Sequence, residues 1–243
     1  MKLTLRLMTL MTGIILCWMI VVQAFHLPPY ILPGPMQVGA ALMQNFMLIL
    51  QQSVPTLTEI ILGFLCGTLL GMSMALGMVY LSPLRFWFLP VLLISQALPT
   101  FAIAPLFIIW LGYGMSSKIA ITVLMLFFPI TSSFYDGLRS TPQSYLELAS
   151  NMQASKIGTL WFIQLPHALP SLATGLRVAA VIAPAGAIIG EWVGASEGLG
   201  FLLLNANARL QIDLMFAVLV VMTCLTMLLY FIVDRVLKRF INW

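Results

Sequence analysis

Few side chains of this sequence could take part in chemistry, and they are scattered along the chain. The 243 residues include only 7 Asp and Glu and 2 His. Neither His26 nor His167 has a Cys, His or carboxylate nearby at the spacing of a metal site. There is no G-x-x-x-x-G-K-S/T loop to hold a nucleotide phosphate. The sequence therefore predicts no catalytic residue, no metal site and no cofactor bound by this chain.

The three cysteines also lack a chemical pattern. Cys17, Cys66 and Cys224 lie in apolar segments and show no C-x-x-C spacing. Because a free cysteine packs like a small hydrophobic residue, we expect all three to lie in the core of the fold.

The composition places most of the chain in a lipid bilayer. Apolar residues make up 61%, charged residues only 7%, and the mean hydropathy is +1.06, whereas about a quarter of the residues of a soluble domain are charged. A transmembrane helix needs about 20 apolar residues, so the length admits about six. We predict an all-α integral membrane protein, with residues 1–243 as a single transmembrane domain and helices near residues 7–25, 57–80, 86–111, 118–135, 172–193 and 214–234.

The net charge of +4 fits membrane orientation better than nucleic-acid binding. With the N terminus inside the cell, nine of the 11 Lys and Arg residues fall at cytoplasmic ends or loops, and only Lys118 and Arg209 fall outside. Cytoplasmic loops of membrane proteins carry such an excess of Lys and Arg. The bias predicts that both termini are cytoplasmic, and that residues 136–171, between spans four and five, form a cytoplasmic loop.

The N-terminal quarter contains three further predicted segments. The apolar run after Lys2 and Arg6 is long for a secretory signal and no A-x-A site follows it, so we expect an uncleaved first span. Residues 26–35 contain four prolines and no Lys or Arg, as expected of an external linker. Residues 36–56 are predicted to form an interfacial helix that leads into the second span.

Small residues recur every four positions in two spans. Gly63, Gly67, Gly71 and Ala75 share one helix face in the second span, which allows close approach of a neighbouring backbone. The neighbour could belong to this chain or to a second copy. In the fifth span and its exit, Gly186 and Gly190 suit helix packing, and turns are predicted at Gly194, Gly198 and Gly200.

Prolines interrupt the third span at Pro90, Pro99 and Pro105. Broken backbone at membrane depth is tolerated only inside protein or along a water-filled path. A solute path is one interpretation, and a proline-kinked packing helix with internally bonded polar groups is the other. Under the first interpretation, the candidate pathway-lining residues of this span are Ser95, Gln96, Pro99 and Thr100.

Charged residues near the membrane are candidates for function, because burying a charge in lipid is costly. We expect the carboxylates of Glu59, Asp213 and Asp234 to sit at helix ends and reach the interface. Arg177 is predicted to be the only intramembrane cation. Glu191, followed by Trp192, precedes a Gly-rich turn, and both are candidates to line the external mouth of a path.

The most specific pattern is in the predicted cytoplasmic loop. From Glu147 to Pro170 it reads ELASNMQASKIGTLWFIQLPHALP. This resembles the loop of binding-protein-dependent ABC importer permeases, in which E-A-A is followed by three residues, G, nine residues and I-x-L-P. Leu148 replaces the middle Ala of the pattern, and Gln153 replaces the Gly. The resemblance assigns to an ATPase-coupling loop the residues Glu147, Ala149, Gln153, Ala154, Ile163, Leu165 and Pro166.

In this family the loop is a short cytoplasmic helix pair that docks into a groove of a separate ATPase subunit. The resemblance implies that the chain is a permease subunit of an ATP-driven importer in the bacterial cytoplasmic (inner) membrane, with ATP and Mg²⁺ bound by the ATPase. The implied partners are a second permease copy, a dimer of the ATP-binding subunit, a periplasmic or lipid-anchored substrate-binding protein, and membrane lipid.

Similarity over residues 50–235 indicates a branch of this family. LPTFAIAPLFIIWLGYGMSSKI and GEWVGASEGLGFLLLNANARLQIDLMFA are similar to permeases for sulfonates, taurine, nitrate and pyrimidine precursors of thiamine. Two segments, GEWVGASEGLGFLLLNANARLQIDL and SSFYDGLRSTP, are most similar to permeases for hydroxymethylpyrimidine or a related precursor. An importer for a sulfonate, taurine or nitrate is the alternative within this family. An ion-coupled secondary transporter is an alternative from another class, although the sequence shows no clear internal repeat.

Overall fold

The structure, a computed structural model, describes residues 2–241, with their side chains except at positions 2–8, 10, 11, 82, 96 and 97. Every regular element in that range is a helix, which confirms the predicted all-α membrane fold. A π-helical turn, Leu160–Gln164, joins the helix Lys156–Thr159 to the helix Leu165–Gly194. The helices are α1 Lys2–Ala24, α2 Pro35–Gln44, α3 Phe46–Tyr80, α4 Ser82–Ala97, α5 Thr100–Leu111, α6 Met115–Arg139, α7 Gln143–Asn151, α8 Lys156–Thr159, α9 Leu165–Gly194, α10 Leu199–Ala208 and α11 Ile212–Phe240.

Four helical stretches are long and apolar enough to cross a membrane: α3, α6, Lys156–Gly194 and α11. Helices α4 and α5 together make a fifth candidate, bent by 111° at a short break. The predicted first span corresponds to α1, in which Thr12–Ala24 is a shorter apolar helix. Six spans and the inside location of both termini stay predictions.

Helix α3 begins earlier than predicted. Residues 36–56 do not form one interfacial helix: α2 ends at Gln44, and α3 runs unbroken from Phe46 to Tyr80 with Pro55 inside it. At 1.5 Å per residue its 35 residues span about 52 Å, well beyond a hydrocarbon core of about 30 Å. Glu59 therefore lies more than three turns inside the helix, not near its end.

The predicted interruption of the third span is confirmed at one of its three prolines. Pro99 lies at the break and precedes the first residue of α5 with an extended backbone. Pro90 and Pro105 lie inside α4 and α5. The break therefore falls where Leu98 and Pro99 both leave helical geometry, as the restriction that proline imposes on its preceding residue favours.

Helix α6 lies between α3 and α9, and glycines bring the three backbones together. On the α3 side, a Cβ at Gly67 would lie 3.1 Å from Cβ of Leu126. On the α9 side, a Cβ at Gly186 would lie 2.9 Å from Cα of Thr122, and one at Gly190 would lie 3.0 Å from Cα of Lys118. The neighbour of the small-residue face is thus a helix of the same chain, which settles the question that the spacing left open.

The outer surface of this helical core is apolar, as contact with lipid requires. Helix α11 exposes Leu228, Phe231 and Ile232, whereas Phe134 and Leu126 of α6 are fully buried. The three cysteines are also exposed on this surface, so their predicted place in the core is wrong. They are small apolar groups on outward faces.

Candidate functional site

The loop between α6 and α9 folds into two short helices, as the resemblance implies. Helix α7 ends in a Schellman motif: the Gln153 amide donates to the Ser150 carbonyl and the Ala154 amide to the Ala149 carbonyl, both at 2.9 Å. The residue that closes this motif adopts a left-handed backbone and is usually glycine. Here it is Gln153, with φ +55°, so the position where the sequence departs from the family pattern does require glycine-like geometry.

A second cap starts the next helix. The Ser155 hydroxyl oxygen accepts from the Gly158 amide at 3.1 Å and so caps α8. The chain then continues through the π-helical turn into α9 without a break. Gln164 Nε2 donates to the Leu138 carbonyl at 3.3 Å, which ties this turn to the end of α6.

The seven predicted coupling residues separate into an outer and an inner group. Glu147, Gln153, Ala154 and Pro166 are exposed, Ile163 and Leu165 are half-buried, and Ala149 is buried. Apolar side chains accompany the outer group. Leu148, Met152 and Ile157 are 56%, 74% and 54% exposed. We call the exposed surface of Glu147, Leu148, Met152, Gln153 and Ile157 the turn surface.

The structure does not decide whether the four candidate residues at the α4–α5 break line a pathway. Ser95 is half-buried, and its hydroxyl donates to the Leu92 carbonyl at 2.7 Å, within its own helix. Pro99 is exposed and Thr100 is half-buried. The side chain of Gln96 lies outside the described residues. Pathway lining by these four residues stays a prediction.

Trp192 borders a groove formed by the end of α9, the loop before α10 and α10 itself. The groove has a volume of about 650 Å³. Tyr113, Trp192 and Phe201 bring aromatic rings to it, and Asn205 contributes an amide. Trp192 and Tyr113 are 47% and 84% exposed. The groove therefore combines flat apolar faces with a hydrogen-bonding group.

Glu191 also borders this groove, but its side chain is buried within the fold. It is 1% exposed. Its Oε1 accepts from Thr56 Oγ1 at 2.5 Å, and its Oε2 accepts from the Gly200 amide. The carboxyl group thus links α3, α9 and α10, and a role in lining a path stays a prediction for this residue.

Side chains of α3 complete the cap of α10. The Gly198 amide donates to Gln52 Oε1 at 2.5 Å, and the Leu199 amide donates to Thr56 Oγ1 at 2.8 Å. Gly198 has φ +112°, and a Cβ there would overlap the Glu191 carboxyl group, which confirms the turn predicted at this glycine. The turns predicted at Gly194 and Gly200 are wrong, since these residues lie in α9 and α10.

Glu59 and Lys118 form a buried ion pair that sequence reasoning missed. Lys118 Nζ lies 2.8 Å from Glu59 Oε1, and the two residues are 5% and 0% exposed. The prediction of Glu59 at a helix end is wrong, whereas the external side predicted for Lys118 stays a prediction, since Lys118 lies in the first turn of α6. The sequence does contain one indication of this buried site. Gln52, Thr56 and Glu59 are spaced by four and three residues, which places the three polar side chains on one face of α3.

The other predicted membrane charges are paired or exposed. Arg177 Nε lies 2.8 Å from Asp234 Oδ1 and Lys238 Nζ lies 2.7 Å from Oδ2, so Asp234 bridges α9 and α11 and does not reach freely to the interface. Lys118 is a second buried cation of the fold, and the intramembrane position of Arg177 stays a prediction. Asp213 lies in the first turn of α11 and is exposed, as expected of a helix-end carboxylate.

Comparison with known proteins identifies the family. The family model described as "Binding-protein-dependent transport system inner membrane component" matches residues 67–242. The chain belongs to this family. It is therefore a permease subunit of an ABC transporter and a multi-pass membrane protein, and the proteins it matches are transport components rather than enzymes.

Two curated relatives of the permease are similar over most of its length. It is 47% identical over 242 residues to a "Probable ABC transporter permease protein" of Haemophilus influenzae, with 99% of each chain covered. It is 41% identical over 174 residues to the "Formylaminopyrimidine transport permease protein ThiX" of Halalkalibacterium halodurans, with 71% of this chain and 70% of the relative covered. The name of the second relative is consistent with the branch that the sequence predicts.

A solved structure supports the fold. A chain of the MetNI methionine ABC transporter in an inward-facing conformation superposes with a TM-score of 0.69. It covers 80% of the permease and 97% of that chain, at 20% sequence identity. The helical arrangement is thus that of a known ABC transporter permease.

Proposed function

We propose that this permease pairs with a second copy of itself to form the translocation path of an ATP-driven importer for a pyrimidine precursor of thiamine. Two subunits of a separate ATPase would dock on the two turn surfaces, and an external binding protein would deliver the solute. The family supports a bacterial inner-membrane location, since its description names an inner membrane component.

The turn surface carries the coupling part of this proposal. Leu148, Met152 and Ile157 are exposed on a polar loop, whereas exposed apolar side chains that cluster in a soluble region mark sites of protein contact. Glu147 lies beside Leu148 and offers a carboxylate to the same partner. A groove on the ATPase that is apolar at its centre and basic at its rim would fit this surface.

The connections of the turn surface explain how docking could drive transport. Gln164 holds the π-helical turn to the end of α6, and the same turn continues into α9. A displacement of α7 and α8 would therefore move α6 and α9, the two helices at the centre of the core. The ATPase must bind nucleotide more tightly when the permease is in one of its two conformations. A ligand with equal affinity for both conformations would not shift the equilibrium between them.

The solute assignment rests on the relative named for formylaminopyrimidine and on the groove beside Trp192. A pyrimidine is flat and carries ring nitrogens and an amino group. The rings of Tyr113, Trp192 and Phe201 offer stacking faces, and the Asn205 amide offers a donor and an acceptor. The groove has no described Lys or Arg in its lining, which favours an uncharged heterocycle over taurine or nitrate.

Reconstitution tests the proposal. The permease would be placed in liposomes with its ATPase and binding protein, and ATP hydrolysis and uptake would be measured with hydroxymethylpyrimidine, formylaminopyrimidine, taurine or nitrate. We expect the two pyrimidines to stimulate both. Stimulation by taurine or nitrate instead would overturn the solute and leave the importer intact. The mass of the purified complex should show two permease copies, and a single copy would contradict the homodimer.

A further inference from the structure

An apolar groove runs along the outer surface of the fold, between α3 and α11. Both helices pack against α9, and the groove between them has a volume of about 360 Å³. Every side chain that lines it is Leu, Ile, Phe or Val. Ile61 and Leu65 of α3 form one border, and Leu228 and Ile232 of α11 form the other. All four are about half exposed, so the groove is open outward and offers only apolar surface to its occupant.

The last two turns of α11 are cationic. Arg235, Lys238 and Arg239 are exposed, and the stretch contains one carboxylate, Asp234. Lys238 and Arg177 both pair with Asp234, at 2.7 and 2.8 Å, so its negative charge is already compensated. Neither Arg235 nor Arg239 has an ion-pair partner among the described residues. We call these two residues the arginine pair.

The arginine pair lies in line with the groove. Leu228, Ile232, Arg235 and Arg239 are spaced by four, three and four residues, which places them on one face of α11. Ile232 borders both the groove and the surface around the arginine pair. At 1.5 Å per residue, Leu228 and Arg239 lie about 16 Å apart along the axis, close to half of a hydrocarbon core of about 30 Å. One face of α11 thus changes from apolar to cationic over the depth of one lipid leaflet.

We propose that the groove and the arginine pair together bind one anionic glycerophospholipid. An acyl chain lies in the groove, and the phosphate accepts hydrogen bonds from the guanidinium groups of Arg235 and Arg239, whose planar donor sets match phosphate oxygens. Basic surfaces beside transmembrane helices recognise anionic lipid head groups in this way. The site goes beyond the proposed function, and it does not depend on the solute, the ATPase or the number of permease copies.

The charge of the site selects among possible occupants. A free anion would pair with the arginines but leave the groove empty. A zwitterionic lipid would bring an ammonium group against two cations that no described carboxylate neutralises. The ends of α1 and α11 that are predicted to be cytoplasmic carry Lys2, Arg6 and the arginine pair. A second copy packed here through either helix would therefore add cations, whereas an anionic lipid supplies both the apolar chain and the missing negative charge.

Native mass spectrometry of the full-length permease tests the choice of lipid. Detergent-purified protein would be mixed with phosphatidylglycerol or with phosphatidylethanolamine of the same acyl chains, and the fraction of chains that retain one lipid would be measured. We expect at least tenfold greater retention of phosphatidylglycerol, since two cations act on its head group. Equal retention would show that the arginines serve only to orient the helix, and would overturn the proposal without any variant.

A pair of double variants locates the cationic part of the site. Arg235→Gln with Arg239→Gln should abolish the preference for phosphatidylglycerol. Arg85→Gln with Arg209→Gln removes the same charge from two arginines that are also exposed but lie away from the groove, and it should keep the preference. An equal loss in both double variants would show a response to net charge alone and would overturn the assignment to α11.

Filling the groove tests the acyl-chain part. Ile61→Trp places a large ring at the border of the groove and should reduce phosphatidylglycerol retention at least tenfold, the same factor as the loss of the two cations. Leu69→Trp is the control, since Leu69 is 70% exposed on α3 and does not line the groove. Displacement of the lipid by soluble glycerol 3-phosphate would show a site for the anion alone. Dissociation of a two-copy species in Ile61→Trp with unchanged lipid retention would make the groove a contact between copies. Either result would overturn the proposal.

Discussion

Gly71 of α3 faces Ile130 of α6 so closely that a Cβ on Gly71 would lie 2.9 Å from Cγ2 of Ile130. Ile130 is fully buried and cannot move away freely. We expect Gly71→Ala to destabilise the permease, because overpacking costs about 1 to 3 kcal/mol and the better helix propensity of alanine returns only about 1 kcal/mol. The melting temperature of the detergent-purified protein measures the loss.

Two variants control this prediction. Gly39 lies inside α2 and has nothing within 4 Å of an added Cβ, so Gly39→Ala should leave the melting temperature unchanged or raise it. Ile130→Ala removes the contacting atom, so Gly71→Ala should cost less in that background than in the wild type. Equal costs in both backgrounds would show that the α3–α6 contact is not responsible.

Gln153 occupies a left-handed position, with φ +55°, where glycine is the relaxed choice. We expect Gln153→Gly to stabilise the end of α7 by about 1 kcal/mol, the strain of a left-handed non-glycine residue. Hydrogen exchange of the Ala154 amide, which closes the Schellman motif, should slow by about fivefold. Met152→Gly is the control, since Met152 has φ −80° and should gain nothing.

The parts of the fold that sequence could predict are those written in local patterns. The four-residue repeat from Gly63 to Gly71 predicted a close helix contact, and the loop pattern from Glu147 predicted two short helices. The repeat does not identify α6 as the partner helix. Small residues allow two backbones to approach closely, but they do not specify which helix packs against them. Only the fold brings Thr122 between Gly63 and Gly186.

The buried charges show where local reasoning failed. Glu59 and Lys118 are 59 residues apart in sequence, and neither side chain has a partner near it along the chain. Hydropathy predicts the start of the second span at residue 57, close to Glu59, whereas the helix begins at Phe46. A pair of this kind becomes visible only when α3 and α6 are packed together.

Leu148 stands where the family pattern has alanine, and its side chain is 56% exposed. We expect Leu148→Ala to leave the melting temperature of the isolated permease almost unchanged, because exposed substitutions usually change stability by less than about 0.5 kcal/mol. If the turn surface docks on the ATPase, the same variant should bind the ATPase more weakly. Pull-down of the ATPase by purified permease checks this, with Leu228→Ala on the outer face of α11 as an equally exposed control.

Glu147 lies on the turn surface and has no described hydrogen-bond partner in the chain, so its carboxylate is available to an ATPase. We expect Glu147→Lys to leave the permease folded and inserted but to weaken ATPase binding at least tenfold, or about 1.4 kcal/mol, because reversing a charge at a docked contact creates a like-charge or unpaired group. Glu147→Gln should lose less, and Gln143→Lys, which introduces a lysine one turn earlier, should bind nearly normally. A role confined to helix α7 would instead change the stability of that helix and leave ATPase binding intact. Co-purification and substrate-stimulated ATP hydrolysis distinguish the two, and normal values of both in Glu147→Lys would exclude a docking role for this residue.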